Sequence, residues 1–126
     1  MQELLWIGAG GFTGAVLRSL AARFVAGWSE QVGFPFGTLL VNAVGCLIIG
    51  LLSSLVETRG LFNEQTRAFM LVGMLGAFTT FSTFSHETLA LFRTGHLWLA
   101  MFNVGVHIIL GLFSVQAGRM LVVWAA

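Results

Sequence analysis

The sequence predicts an all-α membrane protein with four transmembrane helices, the third of them broken in the middle of the membrane. Three observations predict it. Of 126 residues, 57% are hydrophobic and only 9% are charged, where a soluble domain carries about 25% charge. Four stretches are apolar over the roughly 20 residues that a spanning helix needs. One of the four changes character halfway, from apolar residues to glycine and then to hydroxyls set among phenylalanines. A small chain leaves much of its surface exposed, so the apolar excess cannot all be core, and lipid is the solvent that fits. The four stretches use most of the chain, which reads as one domain over residues 1–126 with no room for a soluble one. Six scattered arginines and a net charge of +1 offer no footprint for nucleic acid. The hydrophobicity excludes disorder. The single cysteine, Cys46, excludes a disulfide framework and a Cys-rich metal site.

The first span is Leu4–Ala22. Glu3 is the only charge before it, and Arg18 and Arg23 come at its end. A secretory signal has the opposite order, a basic segment and then the apolar one, so this reads as a retained helix. Gly10 and Gly14 form a G-x-x-x-G pair that would allow close approach of another helix, such as one in a second copy. The second span, Thr38–Val56, follows Gly33, Pro35 and Gly37, which set its start near Gly37 or Thr38. Thr38, Asn42, Cys46 and Ser53 share one of its faces. The Asn42 amide donates and accepts hydrogen bonds. By position alone it serves equally well as a functional group at membrane depth or as a link between helices.

The third span is Ala68–Phe92. Its centre, Gly76-Ala77-Phe78-Thr79-Thr80-Phe81-Ser82-Thr83-Phe84-Ser85, holds five hydroxyl residues among three Phe. Consecutive β-branched Thr and flanking Gly make a weak helix centre. Irregular backbone at this depth survives only where protein or water satisfies its freed groups. A break would aim N–H groups at an anion and carbonyls at a cation. The competing reading is a continuous helix whose hydroxyls bond back to carbonyls one turn earlier. The fourth span, Leu97–Gly118, carries a stripe of Asn103, His107, Gly111, Ser114 and Gly118. His107 there suits a proton carrier, a hydrogen-bonding group or a packing residue.

Four spans put Arg59, Arg67 and Arg119 on one side and Arg18, Arg23 and Arg93 on the other. Orientation follows the Lys/Arg bias of short loops, and three against three is no bias. Either an unseen factor orients the chain, or it inserts both ways and pairs as an antiparallel, dual-topology homodimer.

The third-span motif, ending in Glu87, resembles the signature of the Fluc (CrcB) family of fluoride ion channels. Gly11, Gly14 and Arg18 resemble that family's first-helix G-x-x-G-x-x-x-R pattern. Gly37-Thr38-Leu39-Leu40-Val41-Asn42 resembles its G-T-L-x-x-N pattern, and Asn103 with the stripe after it resembles the pore-facing side of the fourth helix. The likeness runs over nearly the whole chain. It implies a passive, fluoride-selective channel of the inner (plasma) membrane, exporting fluoride from the cytoplasm. It further implies an antiparallel homodimer with two pores and a structural sodium ion at its centre. Carried over, Phe81 and Phe84 are the pore phenylalanines and Asn42 a pore-lining amide. Thr80, Ser82 and Thr83 lie along the anion path, with Asn103 and His107 on the fourth helix. Arg18 lines the vestibule, and the Gly76 and Thr79 carbonyls of both subunits hold the sodium. Two positions depart from the pattern. Ala77 stands where a second Gly is usual, and Gly111 where some relatives carry Ser.

The chemistry is consistent with that resemblance. Fluoride is strongly hydrated, so donors such as the Asn42 amide and the Ser82 and Thr83 hydroxyls must replace its water. Phe ring edges are electropositive without a formal charge. Phe81 and Phe84, three residues apart, stack on one helical face and would line a step between polar sites without trapping the ion. Arg18, near a span end, would raise the local anion concentration. An alternative of similar size and charge balance is a proton-coupled, dual-topology multidrug-type transporter. Such an exporter needs a carboxylate at membrane depth, and Glu87, toward a span end, is the one acid well inside a span. An enzyme is not expected. His86-Glu87-Thr88-Leu89-Ala90 lacks the second His of H-E-x-x-H, and no Asp exists for a Ser-His-Asp set.

Overall fold

The structure, a computed structural model, describes residues 1–125. Its helices are α1 (Gln2–Phe24), α2 (Ala26–Val32), α3 (Phe36–Arg59), α4 (Glu64–Arg67), a π-helical stretch Ala68–Leu75, α5 (Gly76–Phe78), α6 (Phe81–Arg93) and α7 (Leu97–Trp124). Among the described residues, four segments are long and apolar enough to cross a membrane: Gln2–Phe24, Phe36–Arg59, Glu64–Arg93 and Leu97–Trp124. Each contains one of the expected spans. The ends run further than expected because helices continue into polar residues that apolar counting leaves out.

The connections follow local chemistry. Gly33, Gly60 and Gly95 take left-handed backbone, which closes α2, α3 and the α6–α7 turn at no steric cost. Asn63 caps α4, its side chain accepting from the Thr66 N–H at 2.8 Å. The short α2 was not expected; its seven residues are too few to give a periodic signal. Phe34 anchors the turn after it, being buried between Phe36 and Phe102, whose ring centroids lie 4.9 and 5.5 Å away.

Two long packings organise the bundle. α1 lies along the π-helical stretch and α5, and α3 lies along α7. Both rest on glycine. A Cβ on Gly14 would strike the Met74 carbonyl, one on Gly10 the Phe69 carbonyl, and one on Gly73 the Ile7 carbonyl. Gly10 and Gly14 therefore seat the third span inside the same chain, where the sequence suggested a seat for a second copy. Gly50 meets the Val115 carbonyl and Gly118 the Leu47 carbonyl in the same manner. Where α3 ends, Arg119 of α7 donates to both carboxylate oxygens of Glu57, at 3.2 and 2.7 Å. The buried apolar side chains are few, Val41, Leu52, Leu75 and Phe78 among them, while Leu5, Phe12, Phe113 and Trp124 face outward. That inversion suits a chain whose surroundings are apolar.

Candidate functional site

The third apolar segment holds the site. α5 ends at Phe78, Thr79 and Thr80 are extended (φ −82°, ψ 155° and φ −150°, ψ 110°), and α6 begins at Phe81. Two adjacent β-branched residues favour such backbone. Thr80 also supplies the cap of α6, its Oγ1 accepting from the Thr83 N–H at 3.2 Å, as short hydroxyl side chains do at helix starts. Asn42 of α3 completes the link. Its Oδ1 accepts from the Thr80 N–H at 2.8 Å, and its Nδ2 donates to the Thr80 carbonyl at 3.2 Å. In an unbroken helix the Thr80 and Thr83 N–H groups would donate to the Gly76 and Thr79 carbonyls, four residues back. Here side chains take both donors, so those two carbonyls are relieved of their helical partners.

A groove of about 460 Å³ opens on one side of this link, lined by Asn42, Gly45, Cys46, Gly76, Thr79, Thr80, Phe81, Phe84 and His107, with aliphatic neighbours. A second cavity of about 560 Å³ also borders it, called the polar cavity for the Arg18, Ser29, Glu30, Thr38, Thr80, Thr83 and Glu87 side chains that line it beside Ala15, Ala22, Ala26 and Val41. Thr80 borders both. The Phe81 and Phe84 centroids are 5.5 Å apart, and Phe84 stacks against His107 at 4.4 Å. Phe81 is 79% exposed in the protomer. The Thr80 hydroxyl donates to Thr83 Oγ1 at 2.9 Å and lies 3.3 Å from Ser82 Oγ. Thr38 Oγ1 donates to Glu87 Oε1 at 2.8 Å.

The expected residues thus divide. Asn42, Gly76, Thr79, Thr80, Phe81, Phe84 and His107 meet at the groove, and Arg18, Thr80 and Thr83 at the polar cavity. Ser82 lies exposed beside the Thr80 hydroxyl. Asn103 differs from the expectation. It lines neither cavity and is 0% exposed, with its Nδ2 donating to Thr88 Oγ1 at 2.8 Å. Its carbonyl accepts from His107 Nδ1 at 2.9 Å. Asn42 spends two of its four possible hydrogen bonds on the Thr80 backbone, which makes it a link between α3 and the extended pair and leaves one N–H free. Ala77 lies in helical backbone, where its methyl costs nothing. A Cβ at Gly111 would meet Cys46 Sγ at an ordinary contact distance of 3.7 Å. Sequence reasoning missed Thr88. Its signal was the spacing Phe84, Thr88, four residues apart on one face of α6, with the capping Thr80 four residues before them.

The fold and site define an integral membrane protein, multi-pass and helical, with its polar groups gathered around one extended threonine pair. The profile of the family described as "CrcB-like protein, Camphor Resistance (CrcB)" matches residues 5–119. Among relatives, the chain is 43% identical over 121 residues to the fluoride-specific ion channel FluC 1 of Methanosarcina acetivorans, covering 94% of this chain and 89% of that one. It is 44% identical over 118 residues to the fluoride-specific ion channel FluC of Elusimicrobium minutum, covering 94% and 91%. It is 45% identical over 125 residues to that of Shewanella pealeana, covering 97% of each. The chain belongs to the CrcB family, and is a multi-pass protein of the plasma membrane.

Proposed function

We propose that the chain is a passive, fluoride-selective channel that exports fluoride from the cytoplasm and so protects against its toxicity. One observation carries the reading. Thr80 borders both the polar cavity and the phenylalanine-lined groove, so a route between them passes a site rich in uncharged donors. Arg18 at the cavity attracts the anion. Hydroxyls of Ser82 and Thr83 and the second Asn42 N–H replace its water. The edges of Phe81 and Phe84 carry it past His107 without a full charge to trap it. No covalent step is involved, and no residue is assigned a catalytic role. Asn103 supports this path from behind His107.

The working unit in this reading is an antiparallel, dual-topology homodimer with two pores, and the helix break lies at mid-membrane. The open flank of the groove and the exposed Phe81 support a second copy. Gly76 supports it as well: its backbone is ordinary helix (φ −60°, ψ −37°), and a Cβ there would meet nothing in the chain, so the protomer alone does not require glycine. The residues also fit a sodium ion, because the Gly76 and Thr79 carbonyls have lost their helical donors and hard oxygens suit a hard cation. Those carbonyls from two subunits would hold it, as a structural ion outside the anion path. The proton-coupled transporter is the weaker reading, since the relatives above bear channel names.

The test is anion efflux from liposomes holding the purified protein. Fluoride should leave without a proton gradient and chloride should not. Chloride passing as fast as fluoride would sink the reading.

A further inference from the structure

We infer that Thr88 is a positioning residue for the groove, holding Phe84 and His107 in register through Asn103. The inference rests on the channel reading above. Four contacts close a ring between α6 and α7. Thr88 Oγ1 donates to the Phe84 carbonyl at 2.7 Å. Asn103 Nδ2 donates to the same Oγ1 at 2.8 Å. His107 Nδ1 donates to the Asn103 carbonyl at 2.9 Å. The His107 ring then stacks on Phe84, with centroids 4.4 Å apart.

Every polar step has a fixed direction. A carbonyl only accepts, so His107 Nδ1 carries a hydrogen. The one hydroxyl hydrogen of Thr88 goes to Phe84, so Asn103 must approach Thr88 with its NH₂ group. Thr13 and Thr58 also donate to the carbonyl four residues back, at 2.9 and 2.6 Å. Those bonds stay within one helical segment and are the usual habit of a helical threonine. Thr88 differs because a wholly buried side chain of another helix is seated on it. Its hydroxyl therefore ties the rotation of α6 to α7, and two groove-lining rings belong to the same cycle.

Removing that hydroxyl breaks the cycle at one atom. Asn103 Oδ1 already lacks a protein partner, so without Thr88 the whole buried amide would be unpaired. Unmade buried hydrogen bonds are costly, and the amide would be relieved by moving α6 relative to α7. Phe84 would then slide off His107.

The test compares Thr88→Val, which keeps the shape, with Thr88→Ser, which keeps the hydroxyl. Fluoride efflux from liposomes should fall at least about fivefold in Thr88→Val and stay within about twofold of wild type in Thr88→Ser. The Thr88→Val, Asn103→Leu double variant removes both polar partners, so it should melt near wild type and still conduct slowly. In a Phe84→Ile background, Thr88→Val should cause no further loss, because its route through Phe84 is gone; a purely structural residue would multiply the losses. Wild-type efflux from Thr88→Val, or losses that multiply in full, overturns the inference and leaves the channel reading standing. A wild type that passes no fluoride overturns the channel reading, and this inference with it.

Discussion

Asn42 holds Thr80 at two points, its Oδ1 on the Thr80 N–H at 2.8 Å and its Nδ2 on the Thr80 carbonyl at 3.2 Å. One side chain on α3 thereby does for an extended residue what the next helical turn does elsewhere. The link between α5 and α6 needs such a partner, because unsatisfied backbone is not tolerated in an apolar medium.

Asn42→Leu should therefore cost the fold more than a lost side-chain bond. It leaves two backbone groups of Thr80 unpaired, at about 1–3 kcal/mol each. Thermal melting in detergent should show a clearly lowered midpoint, and fluoride efflux should fall by at least about tenfold. A variant with the wild-type midpoint would mean that the link stands without its clamp.

The two phenylalanines should separate stability from conduction. Phe81 is mostly exposed in the protomer, so Phe81→Ile should leave the melting midpoint within error. Phe84→Ile loses its stack on His107, at about 0.5–1.5 kcal/mol. Each single change should cut fluoride efflux about tenfold, and the double change should abolish it. Undiminished efflux in the double variant would remove the ring edges from the mechanism.

Glycine supplies a steric prediction. Gly14→Ala places a methyl against the Met74 carbonyl, and backbone cannot swing aside as a side chain can. Overpacking of this kind costs about 1–3 kcal/mol. Gly8→Ala, on the same helix with nothing within 4 Å, is the control and should melt as wild type. Equal midpoints for the two variants would show that α1 can move away from the third span.

Hydropathy made the four spans legible, since length and apolar content are local properties. A weak helix centre was legible at Gly76–Ser85, because consecutive threonines and a glycine disfavour helix wherever they fall. That the extended backbone falls on Thr79 and Thr80 was not legible, because Asn42 and the Thr80 hydroxyl hold it and one of them lies 38 residues away. The same limit hid the partner of Asn103: its stripe on α7 was legible, but its buried seat against Thr88 of α6 is a tertiary fact. Gly10 and Gly14 announced a close helix contact without saying whose helix. The π-helical stretch Ala68–Leu75 has no pattern of its own in the sequence.

The charge balance gives the last prediction. Arg59, Arg67 and Arg119 stand against Arg18, Arg23 and Arg93, so two substitutions suffice to tip it. Leu61→Lys with Arg93→Gln makes the count four to two, at exposed positions. Gly27→Lys with Arg67→Gln makes it two to four, again at exposed positions, and a side chain at Gly27 meets nothing. Each pair should insert one way only under the Lys/Arg rule, read by accessibility of an N-terminal tag from the two sides of the membrane. Expressed alone, each should lack antiparallel partners and lose fluoride efflux. Expressed together, the two should restore it. Full efflux from either variant alone, with its tag on one side, would mean that the functional unit is not antiparallel.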